Sequence, residues 1–262
     1  MEMKESKTVI YKQDESVATI TINRPDAMNS FNAQLRSELL NAIEKASQNN
    51  NLRVIIINGN GRNFSAGADL KNMDDAQKST EEVLNDEYRP IFDAINSINQ
   101  PVIASIHGHA AGIGLSLALS CDLLIMADDA FLLAPFSSIS LAPDGGMNWF
   151  LVRQLGYRKA FQLCVEAERI DAKFCVEYGL ANKSVPAEEL FDETLHWAKK
   201  IAKRAPLSVQ ATKKMMRFAA CHSWSETYDM EVPLQQALCD SKDFEEGVNA
   251  FIEKREPVFN GS

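Results

Sequence analysis

Three short segments carry residue types that could do chemistry, and each is a bend. The first is Gly61-Arg62-Asn63-Phe64-Ser65-Ala66-Gly67-Ala68-Asp69-Leu70, leading into Lys71-Asn72-Met73. Its small residues at 65–68 let backbone N–H groups come close to a ligand. Asp69 is placed to cap a following helix, whose N-terminus draws negative charge. The second is His107-Gly108-His109-Ala110-Ala111-Gly112-Ile113-Gly114-Leu115-Ser116. It opens a helix whose first N–H groups have no intrahelical partner. Two such bends could aim two amides at one oxygen and form an oxyanion hole. Each also fits a plainer use, as a tight strand-to-helix turn or as close helix–strand packing. The third is Leu141-Ala142-Pro143-Asp144-Gly145-Gly146, where Asp144 ends an uncharged run that starts at Ala130. A carboxylate in apolar surroundings has a raised pKa and becomes a usable base. Alternatively Asp144 caps a helix beginning near Gly146, and Pro-Asp-Gly is also a common turn.

Other motifs fall short of their templates. The second bend fails as a dinucleotide fingerprint, since Leu117 stands three residues after Gly114. Gly114-Leu115-Ser116-Leu117-Ala118 resembles a nucleophile elbow whose second glycine is Ala118. His107 and His109 are candidate bases or packed histidines, and His196 and His222 have no partner spacing. Met215, Met216 and Trp224 read as core or interface residues, and Lys213, Lys214 and Arg217 as a solvated face.

The elements that must position these bends follow from periodicity. Val17–Ile22 alternates as a strand, and Ser30 is expected to cap a helix running to about Gln48. Val54–Ile57 is apolar on both faces, as in a sheet covered on both sides. Residues 80–98 read as helix, Val102–Ile106 as strand, 112–120 as a small-residue helix and Leu123–Ala127 as strand. The pattern is strand and helix in repeated units. After about Gly145 the chain reads mainly helical, over 146–165, 171–178, 187–204, 207–221 and 224–255. Breaks are expected at Gly156, Gly179, Pro186, Pro206 and Pro233. The fold class is therefore α/β, with residues 1–200 as the core and 201–262 as a C-terminal helical region, not an independent domain.

Composition narrows the function. The chain has 262 residues, 45% of them hydrophobic, enough to bury a core and shape a pocket. Lys+Arg number 27 against 36 Asp+Glu, a net charge of -9 that argues against nucleic acid as the main ligand. The five cysteines form no CxxC pair, so reduced thiols and no metal site are expected. Met1–Lys7 is charged with no apolar core, which points away from a secretory signal and toward the cytoplasm. Ala94–Cys121 carries no Asp, Glu, Lys or Arg, but Pro101, two histidines and three glycines break it into short buried elements. No membrane span is expected.

The ordered set of motifs resembles the crotonase (enoyl-CoA hydratase/isomerase) superfamily over about Val9 to Phe259. The set comprises Asn23-Arg24-Pro25-Asp26-Ala27-Met28-Asn29-Ser30, Phe64–Leu70, Gly108–Gly114, Cys121-Asp122-Leu123, Pro143–Gly146 and Ala250–Phe259. The resemblance implies a crotonase-like spiral of repeated ββα units with a helical C-terminal trimerisation region. It implies a homotrimer or dimer of trimers, an acyl-CoA thioester substrate and no metal or redox cofactor beyond the coenzyme A of the substrate. Carried over by position, the amides of Ala68 and Ile113 hold the thioester oxygen. Adenine and pantetheine lie against Asp26, Ala27, Met28, Ala66, Ala68, Asp69 and Leu70. Arg62 and Lys254 match basic positions that meet CoA phosphates, Lys254 from a neighbouring subunit. Asp26 departs from a basic residue found there in some hydratases.

Hydratases that resemble this chain hold water with two glutamates, whose positions fall at Ser116 and Pro135 here. Asp144 matches a third position, where some isomerases carry a single acid. One carboxylate suffices to move a proton between carbons two bonds apart. The expectation is thus an enoyl-CoA isomerase shifting a Δ3 double bond to Δ2, with Ser116, Phe136 and Trp149 at the acyl pocket. Phe92, Phe131, Leu133 and Phe150 are further candidates for its wall. The alternatives are a hydratase that uses Asp144 to place water, a serine thioesterase using Ser116 with His107 or His109, and a non-catalytic CoA- or RNA-binding protein.

Overall fold

A computed structural model describes residues 7–71 and 78–262. The expectations resting on residues 1–6 and 72–73 lie outside the described residues.

β1 (Val9–Asp14) and β2 (Val17–Ile22) form an antiparallel hairpin. In β2, Ala18, Ile20 and Ile22 are buried while Thr19 and Thr21 are half-buried, the period of two that a sheet imposes. α1 (Ala33–Ser47) buries Leu35, Leu39, Ala42, Ile43 and Ala46, one stripe at helical spacing. β3 (Val54–Gly59) follows, then α2 (Thr80–Val83), a π-turn over Leu84–Tyr88 and α3 (Arg89–Ser97). β4 (Val102–Ile106) and β5 (His109–Ala111) lead into α4 (Ile113–Ser120), which is buried along its whole length. β6 (Leu123–Ala127), β7 (Phe131–Leu133) and a 3-10 turn over Pro135–Ile139 precede α5 (Met147–Leu155) and α6 (Tyr157–Glu166). β8 (Ile170–Asp171), α7 (Ala172–Glu177) and β9 (Lys183–Val185) complete the strands. α8 (Leu190–Ala202), α9 (Pro206–Ala219), α10 (Trp224–Cys239) and α11 (Lys242–Glu253) end the chain.

The strands form a six-stranded sheet in the order β1-β2-β3-β4-β6-β9 and a three-stranded sheet in the order β5-β7-β8. From β2 to β9 the large sheet is parallel. β3 therefore has parallel neighbours on both sides, as its continuous apolar run requires. β4 and β5, then β6 and β7, contribute one strand to each sheet before the chain moves on, and β8 and β9 do so in reverse order. This is a spiral of ββα units with a helical C-terminal region. Among the described residues no helix is long and apolar enough to cross a membrane.

Several local expectations change. The cap of α1 is Asn32, whose Oδ1 accepts from Leu35 N at 3.0 Å, rather than Ser30. Ser30 is buried in the preceding loop. His109–Ala111 is a strand rather than part of a turn, because its backbone pairs with β7. Pro233 lies within α10 without ending it; α10 packs on both α9 and α11. β9 (Lys183–Val185) fills part of the gap left between the helical stretches 171–178 and 187–204.

Lys213 and Arg217 do not form a solvated face. Both reach from α9 to Asp122, at 2.7 and 2.6 Å. Asp122 also accepts the Val102 amide at 2.8 Å, so one carboxylate ties α9 to the start of β4. Burial pulls the Lys213 ammonium below its usual pKa, with Asp122 opposing. Removing one partner of such a cluster leaves an uncompensated buried charge. Met216 and Trp224 are 70% and 78% exposed, so neither belongs to the core of the single chain. Cys121 and Cys175 are buried, whereas Cys221 and Cys239 are exposed, and all five thiols are free.

Candidate active site

The two glycine-bordered bends meet through their backbones. Phe64 and Ser65 donate to the carbonyls of His107 and His109, both at 3.1 Å, and Ala111 donates back to Ser65 at 2.9 Å. On its other side the first bend pairs with residues 28–31. Ala66 donates to Met28 at 2.9 Å, Phe31 to Gly67 at 2.8 Å and Asp69 to Phe31 at 3.0 Å. The first bend is thus a strip of backbone held between two others. Gly67 has φ +95°, and a Cβ there would lie 2.9 Å from the Ala111 carbonyl and 3.4 Å from Gly112 Cα. Only glycine lets the two bends approach so closely. The next residue along each bend is Ala68 on one and Ile113 on the other. Among the described residues neither amide has a hydrogen-bond acceptor. Ile113 opens α4, where the first N–H groups lack intrahelical partners.

Asp144 is brought to the same region by the turn before α5. Ser116, fully buried on α4, donates its hydroxyl to the Asp144 carbonyl at 2.9 Å. Gly145 has φ +60°, and a Cβ on it would lie 2.5 Å from Ile113 Cδ1, 2.8 Å from Ser116 Cβ and 2.9 Å from Phe92 Cζ. The turn is therefore pressed against the first two turns of α4 and against α3. The Asp144 side chain does not cap α5: Gly146 is the N-cap position and no side-chain bond is made there. Its Oδ1 is buried and has no hydrogen-bond partner among the described residues. Burial pushes the carboxyl up from 3.8 to about 6, with a smaller opposing contribution from its own backbone N–H. The group changes charge just below neutrality, where a general base works well.

Next to this turn lies a cavity of about 540 Å³, bordered by Gly145 and Gly146 and walled by Phe92, Trp149, Phe150, Tyr88 and Leu84. Trp149 packs edge-on against Phe150 at 5.0 Å. Of the residues considered for an acyl pocket, Trp149, Phe92 and Phe150 border this cavity. Ser116 lies behind the Asp144 turn rather than on the cavity surface. Phe136 is buried and does not border the cavity, nor do Phe131 and Leu133. Phe131 instead stacks on His109 at 5.5 Å, with the Arg169 guanidinium 4.3 Å from its ring.

The serine-nucleophile arrangement is not assembled. The Ser116 hydroxyl is committed to a backbone carbonyl, His107 Nε2 lies 3.0 Å from the Gly61 carbonyl, and His109 faces Phe131. Burial lowers the pKa of both imidazoles.

The remaining predicted positions other than Lys254 lie on or beside the first bend. Asp26, Met28, Ala68 and Leu70 are exposed, Ala27 and Ala66 half-buried, and Arg62 exposed. Asp69 pairs with Arg24 at 2.9 Å and accepts the Lys71 amide at 3.2 Å. The helix expected beyond it lies outside the described residues. Lys254 is the left-handed cap at the end of α11 and is exposed.

Asn29 emerges as a hub that sequence reasoning did not single out. It is fully buried, and its Nδ2 donates to the carbonyls of Asn60 and Asn63 at 2.8 and 2.6 Å. Its Oδ1 accepts from Arg24 N at 2.9 Å, and its own carbonyl accepts from Ser65 Oγ at 2.8 Å. The available signal was an asparagine next to turn residues on a loop with no obvious cap role.

The family model for enoyl-CoA hydratase/isomerase matches residues 12–262. The chain belongs to the enoyl-CoA hydratase/isomerase family. It is 37% identical to a Rhodobacter capsulatus protein named "Probable enoyl-CoA hydratase", covering 97% of this chain and 98% of that one. It is 34% identical to the trans-2-decenoyl-[acyl-carrier-protein] isomerase of Streptococcus mutans, with the same coverage. The solved structure of an enoyl-CoA hydratase from Bacillus anthracis superimposes with a TM-score of 0.92 at 32% identity, covering 97% of this chain and 100% of that one. Family members act on acyl-CoA thioesters, and the relatives' names include both hydratases and isomerases.

Proposed function

We propose that the protein is an enoyl-CoA isomerase that moves a Δ3 double bond to Δ2, with Asp144 carrying the proton. The carboxylate takes a proton from C2 of the 3-enoyl thioester. The C2–H electron pair becomes a dienolate, with negative charge on the thioester oxygen. Asp144 then returns the proton at C4, giving the conjugated 2-enoyl thioester. The amides of Ala68 and Ile113 receive the oxygen; each donor of this kind is worth roughly 2.7–4 kcal/mol in the transition state. A positioned base adds about 10²–10⁴-fold.

The observation that carries this reading is the Asp144 carboxyl, raised to about 6 by burial on a turn packed against Ile113 and Ser116. Ser116 and Pro135 occupy the positions where the family resemblance puts the paired glutamates of hydratases, which favours one-carboxylate chemistry over water addition. In the same reading the CoA moiety lies along Asp26, Ala27, Met28, Ala66, Asp69 and Leu70. Arg62 meets the phosphates together with Lys254 of an adjacent copy in a trimer. No cofactor beyond the substrate's coenzyme A takes part.

The test compares 3-enoyl-CoA isomerisation with 2-enoyl-CoA hydration on one preparation. Isomerisation should dominate, and Asp144→Asn should reduce it at least about 10²-fold. Dominant hydration would instead make this a hydratase with Asp144 placing water, and full isomerisation in Asp144→Asn would remove that residue from the mechanism.

A further inference from the structure

The 540 Å³ cavity bears on which acyl group is taken. It begins at Gly145 and Gly146, adjacent to Asp144, and its walls follow α3 and the turn before it from Leu84 to Asn96. That is a run of about 18 Å at the helical rise of roughly 1.5 Å per residue. None of residues 26–28, 62 and 66–70 borders it. A chain entering it from the reacting carbons therefore leads away from the side assigned to CoA.

Two features define the occupant. The first is size: at about 30 Å³ per water-sized atom, 540 Å³ accommodates roughly 18 heavy atoms. A four-carbon acyl group would leave most of it unfilled. The second is the chemistry of the wall. Leu84, Phe92, Trp149 and Phe150 are apolar, and the charged groups in the wall are Arg89 and Asp93 on α3 and Arg217 on α9. Arg217 bonds to Asp122, Asn96 and the Ser120 carbonyl, and Arg89 lies 3.5 Å from Asp93. Of these, Arg217 is committed to Asp122, whereas Arg89 and Asp93 are more than two-thirds exposed and lie at the solvent edge of the cavity.

We propose that this cavity binds an unsubstituted acyl chain of at least about eight carbons, within the roughly 18 heavy atoms that its volume accommodates, and that Leu84 and Cys221 limit its ends. The inference rests on the acyl-thioester reading of the site but not on whether the reaction is isomerisation. Burying one methylene improves affinity about fourfold, so each added pair of carbons should strengthen binding on the order of tenfold until the cavity is filled.

Saturated acyl-CoAs of about four to twelve carbons, titrated by calorimetry, test it without any turnover. The dissociation constant should fall steeply from four to about ten carbons. Leu84→Trp or Cys221→Trp should reduce the ratio of long- to short-chain affinity, and the variant that does so marks the end toward which the chain runs. An affinity that is flat or weakens with length overturns the proposal, as does an unchanged ratio in both variants. If the length series holds but no 3-enoyl-CoA is isomerised, the reaction assignment fails while the acyl cavity stands.

Discussion

Asp144→Asn should stabilise the fold at neutral pH while removing catalysis. The carboxyl is raised from 3.8 to about 6, so between these values the folded chain binds more protons than the unfolded one. Stability then falls as pH rises through that window, and the penalty is complete above it. Raising the carboxyl from 3.8 to about 6 corresponds to roughly 3 kcal/mol. The group is only half-buried, so solvent screening reduces this to about 1–2 kcal/mol. Asparagine keeps the shape without the charge and should recover most of that at pH 7.5. For a chain of this size the gain corresponds to roughly 2–6 °C in Tm. Thermal melts of both proteins at pH 7.5, 6 and 4.5 would show it, with the difference shrinking as pH falls. A variant that melts below the parent at pH 7.5, or a gain that does not change with pH, would refute the attribution to desolvation. The same titration governs rate: kcat should rise as pH crosses about 6 and level off above it.

Three further outcomes follow from other contacts. Ser116→Ala removes the bond that holds the Asp144 carbonyl; kcat should fall about tenfold with KM nearly unchanged, at a stability cost of about 1 kcal/mol. Steady-state kinetics reads this, and a rise in KM alone would place Ser116 with the substrate rather than with the turn. Gly67→Ala puts a methyl 2.9 Å from the Ala111 carbonyl at φ +95°. Spreading the two bends should lower kcat about 10²-fold, as loss of an oxyanion donor does, and an unaltered kcat would mean that the bends do not set the geometry. Asp122→Ala strands Lys213 and Arg217 and should cost about 3–5 kcal/mol, seen as a lower urea midpoint.

The legible parts of the site were those whose chemistry is local. Glycines at 67, 112, 145 and 146 mark bends in the residue string itself, and Asp144 stands out because the residues before it are uncharged. Strands β2, β3, β4 and β6 could be read because their apolar runs have the period and length of buried strands. The short strands β5, β7, β8 and β9 could not. Two or three residues carry no period, and pairing with a distant segment alone makes them strands. Lys213 and Arg217 looked solvated for a similar reason, since their partner Asp122 is about 90 residues away in sequence.

By itself, then, the sequence determined the alternation of strand and helix, the positions where the backbone turns sharply, and the family through the order of its motifs. The tertiary structure decided which groups face one another. It set Gly67 against Gly112, drew the Asp144 turn onto α4 through Ser116, moved Phe136 away from the cavity and brought α3, α5 and α9 together around it. The division is physical. Backbone preference and hydrophobic period act over a few residues, whereas a pKa, an oxyanion geometry and a cavity are sums over atoms that only folding brings within a few ångströms.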